Sequence, residues 1–174
     1  MADAYEIIES TTLTGTATSV TFSSLTTDYV HLQIRMTART DLNTTPGYDY
    51  VGIQFNGDTG TNYTNAAMTA FNTTEGAEEE ASNAQAKARS TACDPENAAM
   101  FGIIEVTIPS YRSTNQNGTV HGLGGKAGSA NGFSQFGGSF WNNTAAITSI
   151  VLTPGGGTNF NTGSTFTLYG LRSS

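Results

Sequence analysis

Side chains able to carry chemistry are few and scattered in this chain. There are two histidines. His31 sits in Tyr29-Val-His-Leu-Gln-Ile-Arg35, and His121 sits among the glycines of Gly118 to Lys126. Nothing marks a third ligand at a spacing that would make a metal site with either. The expected metal complement is therefore none. Cys93 is the single cysteine. With either histidine it would form a thiol–imidazole pair, but a lone cysteine is far more often an inert, buried small side chain. A single cysteine also excludes an intrachain disulfide and implies no oxidising compartment.

The segment Gly122-Leu-Gly-Gly-Lys-Ala-Gly128 resembles a phosphate loop only superficially. In the GxxxxGK[ST] pattern Val120 stands where the first glycine belongs, Ala127 follows Lys126, and no helical pattern comes after. A GxSxG nucleophile elbow is missing. Asp58, beside Asn56-Gly57, has none of the ligand pattern of a calcium loop and reads as a turn residue. The acids are scattered or gathered in the run Glu75, Glu78, Glu79 and Glu80, which does not suggest a carboxylate pair for glycoside cleavage. The expectation is no catalytic residue and no cofactor. Trp141, the only tryptophan, has two readings. Beside Asn142 and Asn143 it would be a sugar-stacking platform; more often such a residue anchors a core or a subunit interface.

The elements that must hold these residues read as strands. From Tyr29 to Arg39 the apolar residues Val30, Leu32, Ile34, Met36 and Ala38 alternate with His31, Gln33, Arg35, Thr37 and Arg39. Period-2 alternation marks a strand with one buried and one wet face. This window is the longest of its kind, so it is expected to be a central strand. Its wet face would carry Arg35 and Arg39, with Glu105 as a pairing partner on a neighbouring strand. Shorter strands are expected at 19–23, 49–55, 62–71, 100–108, 118–126, 139–142, 147–154 and 164–170, and residues 5–10 read as a short first strand or an N-terminal arm. Asn56-Gly57 is a strong hairpin signal. The glycine-rich 118–126 stretch can be a strand only at an edge or a close approach. Residues 72–99 break the pattern: acids precede an Ala-rich run reaching Lys87 and Arg89. They read as a long surface insertion with one short helix. The fold class expected is all-β, a jelly-roll-like antiparallel β-sandwich in one domain spanning 1–174.

Totals narrow the function. Charged residues make up 12% of the chain, against a usual value of about 25%; Thr, Ser, Asn and Gly replace them. Such surfaces suit burial against neighbours. The net charge of −7 argues against nucleic acid, whose binding rests on clustered Lys and Arg. No run approaches the ~20 apolar residues of a membrane span. The opening Met-Ala-Asp-Ala-Tyr-Glu lacks a basic and an apolar region, so no signal peptide is expected.

Several stretches taken together carry a resemblance: Ser19-Val-Thr-Phe-Ser-Ser, Tyr29-Val-His-Leu-Gln-Ile-Arg, Phe55-Asn-Gly-Asp-Thr-Gly-Thr-Asn-Tyr63, Asn143 through Gly157, and Gly163-Ser-Thr-Phe-Thr-Leu-Tyr-Gly-Leu171. The chain resembles small β-sandwich structural proteins of tailed bacteriophages over most of its length, outside roughly 72–97. The resemblance implies a non-enzymatic virion protein assembled in the host cytoplasm. Within that group it implies a capsid decoration (cement) protein on the capsid exterior, a homotrimer bound to the major capsid protein, without nucleic-acid or membrane partners. The alternative is a tail or fibre module that binds host surface glycan through Trp141 and neighbouring tyrosines. Candidate interface residues are Tyr5, Ile7 and Ile8 in the segment from Ala4 to Ile8, Arg35 and Arg39 on the wet face, and Trp141; the 72–97 excursion is a further contact candidate.

Overall fold

A computed structural model describes residues 5–45, 47–94, 96–127 and 132–172. Ala4 and Gly128, which enter the expectations above, lie outside them. The described residues form twelve strands and no helix. They are β1 (Tyr5–Thr12), β2 (Val20–Phe22), β3 (His31–Asn43), β4 (Tyr48–Phe55), β5 (Tyr63–Phe71), β6 (Thr74–Asn83), β7 (Ala86–Asp94), β8 (Gly102–Ile108), β9 (Gly118–Lys126), β10 (Phe133–Trp141), β11 (Ile150–Pro154) and β12 (Thr165–Leu171).

The strands make two packed layers. The wide layer runs β1-β12-β3-β8-β9-β10-β5-β6, every neighbour antiparallel. The narrow layer runs β2-β11-β4-β7, also antiparallel. β3 belongs to both. Its first part pairs with β8 and β12, and from Arg39 onward it pairs in parallel with β7. The chain is all-β and sandwich-like, with one parallel contact where the layers join.

Alternation along β3 places Leu32, Ile34, Met36 and Ala38 in the core, as expected, facing Ile104, Val106, Phe166 and Leu168 of its neighbours. Val30 precedes the strand and is half-buried. The alternation ends at Ala38, Arg39 and Thr40, three consecutive buried residues. There β3 leaves the wide layer, so the face of Arg39 turns from solvent into the seam.

Two expectations are corrected. The described residues of 72–99 hold no helix: they supply β6, exposed along most of its length, and β7, almost wholly buried. The helical reading failed because alanine and glutamate favour helices in isolation, whereas tertiary packing decides strands. Asn56 and Gly57 do adopt positive φ, 54° and 70°. Yet they do not close a hairpin, since β4 and β5 lie in different layers. The turn carries the chain across the sandwich. β9 is a close approach: a Cβ on Gly122 would press into the Ala88 carbonyl oxygen, and one on Gly124 would stand 3.0 Å from the Arg89 Cβ.

Candidate functional site

The outer face of the wide layer collects the most distinctive surface. Its registers align one row of side chains across all eight strands: Ala77, Met68, Phe136, Leu123, Glu105, Arg35, Thr167 and Ser10. One half of the row is apolar and the other polar. Met68, Phe136 and Leu123 are about half exposed. Phe140 on β10 and Ile103 on β8, the latter 69% exposed, extend the apolar half along the strands. Neighbouring strands lie about 4.8 Å apart, so these five side chains cover four strands and about 14 Å of sheet. Glycine and alanine at Gly138, Gly125, Ala66 and Ala70 keep the ground between them low. An apolar patch on an exposed face marks an interaction surface more often than scattered single residues do.

The polar half is tied together. Arg35 Nε donates to Gln33 Oε1 at 2.9 Å and lies 3.5 Å from Glu105 Oε2. Its guanidinium sits 5.1 Å from the Tyr169 ring centroid and 5.9 Å from that of Tyr5. The Arg35–Glu105 pairing expected across strands is therefore present. Ser10 Oγ and Thr167 Oγ1 share a hydrogen bond of 2.8 Å at the far end.

Of the residues picked from sequence, Tyr5, Ile7 and Arg35 share this face, with Ile7 60% exposed. Ile8 turns inward and packs against the core. Arg39 is a correction, since it is no surface contact, and Trp141 takes the core-anchor reading rather than the interface or sugar-stacking one. Arg39, 2% exposed, donates to Asp94 and to the carbonyl oxygens of Glu96, Asn97 and Met100, holding the 94–100 loop. Trp141, 1% exposed, lies against Phe55 and Tyr63 and donates Nε1–H to Asp58 Oδ2 at 2.7 Å. It anchors the core and offers no face to a sugar. Met68, Leu123, Phe136, Phe140 and Ile103 were missed. A signal existed in β10, where Phe136 and Phe140 stand on the opposite phase from Phe133 and Trp141.

The reactive side chains do not meet. His31 Nδ1 accepts from the Ser110 amide at 2.9 Å, while His121 is exposed on β9. Cys93 is buried, and burial pushes its thiol up to about 11. Asp58 is occupied by donors from Trp141, Asn62 and Gly60. Among the described residues no three His, Cys, Asp or Glu converge as a metal site. The most unusual buried group is Arg89. It donates to the Lys87 and Ala66 carbonyl oxygens, its Nε has no hydrogen-bond partner, and burial lowers its pKa to about 10.

The chain matches no protein-family model and no curated protein sequence.

Proposed function

We propose that this chain is a structural protein of a tailed bacteriophage virion, a capsid decoration protein that docks through the outer face of its wide layer. The observation carrying this reading is the apolar half-row Met68–Phe136–Leu123, extended by Phe140 and Ile103, on an otherwise well-paired sheet. The partner is the major capsid protein lattice, and the working unit is a homotrimer. The virion origin rests on the sequence resemblance, and the low charge content supports broad neutral contacts.

The mechanism needs no chemistry. A pressurised lattice fails when its subunits separate, and a clamp across several subunits raises that barrier. Covering the exposed remainder of each apolar side chain contributes about 1 kcal/mol. That is weak for one protomer. Three linked protomers make later contacts intramolecular, and avidity adds a factor of about 10²–10⁴.

The test compares particles carrying the wild-type protein, no protein, and the double variant Leu123→Asp/Phe136→Asp, heated while DNA release is followed. Wild-type particles are expected to hold DNA to a higher temperature, with the variant behaving like particles without the protein. Equal release temperatures for the first two would remove the cementing role.

A further inference from the structure

The wide layer outreaches the narrow one. β5 and β6 overhang its edge, and the step between them encloses a cleft of about 380 Å³. Its aromatic wall is Tyr48, stacked on Phe133 with centroids 4.2 Å apart, together with Tyr50. Its polar wall is a connected set. Ser90 and Gln135 Oε1 are 3.1 Å apart, and Gln135 Nε2 donates to Thr69 Oγ1 at 3.2 Å and to Glu78 Oε1 at 2.7 Å. Lys87 lies 4.6 Å from the centre of the Tyr50 ring and is held by Glu80 at 2.6 Å. Gln135 and Ser90 are buried, so the network is fixed before any ligand arrives.

From this geometry we infer that the cleft binds a neutral saccharide of one or two rings. The volume falls at the small end of ligand pockets, roughly 300–1,000 Å³. Lys87 is already paired with Glu80, and Glu78 Oε1 already accepts from Gln135, so neither an anion nor a cation finds an unengaged counter-charge. A wholly apolar ligand would strip water from Lys87 and Glu78, with no hydrogen bonds returned. Sugar hydroxyls are both donors and acceptors, so one ring can satisfy an amide, a carboxylate, an ammonium and a hydroxyl together. The C–H face of the same ring would pack on the aromatic wall. This site adjoins the outer-face docking surface at Ala77 and Glu78 but includes neither Phe136 nor Leu123, and it is separate from buried Trp141.

Saturation-transfer NMR on the full chain tests it, with glucose, galactose, N-acetylglucosamine and rhamnose as probes, and acetate and tetramethylammonium beside them. At least one neutral sugar is expected to bind at millimolar concentration and neither ion to do so. Gln135→Ala should weaken sugar binding about tenfold, the loss of one well-placed hydrogen-bonding group. Glu78→Gln, at an exposed strand that tolerates substitution, should weaken it in the same direction with an unchanged circular dichroism spectrum. Leu123→Asp/Phe136→Asp should leave sugar binding intact while abolishing particle docking, which separates this inference from the docking proposal. No transfer to any neutral sugar, equal binding of an ion, or indifference to both cleft substitutions would overturn it.

Discussion

Trp141 Nε1–H donates to Asp58 Oδ2 across 2.7 Å, tying the end of β10 to the turn that leads from β4 to β5. Tyr63 closes the same corner, its hydroxyl accepting from the Phe55 amide and donating to the Asp58 carbonyl oxygen. The Asp58 carboxyl is held below its ordinary value by the Trp141 bond first, then by Asn62 and the Gly60 amide. A carboxyl with a depressed folded pKa contributes stability that is complete above its unfolded pKa and is lost as pH falls through the folded one. Asp58→Ala should therefore cost about 1–3 kcal/mol at pH 7 by orphaning the indole N–H. The gap between wild type and variant should narrow below about pH 4. Urea denaturation followed by the single tryptophan's fluorescence reads both. A gap independent of pH would dissociate the carboxylate from the effect.

Core packing gives a second expectation. Ile34 is fully buried at the centre of β3, between β8 and β12. Ile34→Ala should cost about 2–5 kcal/mol. Gly122→Ala should cost about 3 kcal/mol, the upper range for overpacking, because its methyl meets the β7 backbone rather than a movable side chain. Equilibrium denaturation measures each; a cost near zero for either would mean the layers do not meet as described.

Cys93 should be silent in the native state. It is buried with its thiol pushed up to about 11 by desolvation. At pH 8 the folded protein should resist Ellman's reagent and react stoichiometrically in urea, with labelling rising along the unfolding curve. Rapid native labelling would contradict its placement in β7.

Arg89 makes an opposite kind of expectation. Its guanidinium is buried among carbonyl groups, and Glu78 acts on it only through its charge. Replacing a poorly matched buried charge by an apolar chain of similar length is often neutral or stabilising. Arg89→Met should shift stability by no more than about 1 kcal/mol in the unfavourable direction, while Arg89→Ala, which leaves a cavity, should cost about 3 kcal/mol. Thermal melts of the pair decide it: equal and large losses would show that the charge itself is required.

How legible these features were differs by element. β3, β8 and β12 were readable because one face of each is buried and the other faces solvent, which writes alternation directly into Ile104-Glu-Val-Thr-Ile and Phe166-Thr-Leu. β7 was not. Buried on both sides, it runs Ala-Lys-Ala-Arg-Ser-Thr-Ala-Cys, with too short an alternation at its start and none after Arg89, and its alanines are small because the β9 glycines come close. Arg39 was misplaced because the alternation gives no warning of where a strand changes layer. The outer apolar row joins residues from four strands far apart in sequence, so no single window contains it. The cleft draws on β4, β5, β6, β7 and β10 and was invisible for the same reason.

The insertion of β12 between β1 and β3 has a consequence for synthesis. Both of its neighbours are made early, yet their shared partner is the last of the described strands to leave the ribosome. At about 5–20 residues per second, β3 waits on the order of ten seconds with one ladder edge bare. β1 waits longer still. An open edge on an apolar strand is a template for pairing with another nascent chain. Production should therefore depend on how fast translation finishes and on how crowded the polysome is, even for a sequence whose finished fold is stable.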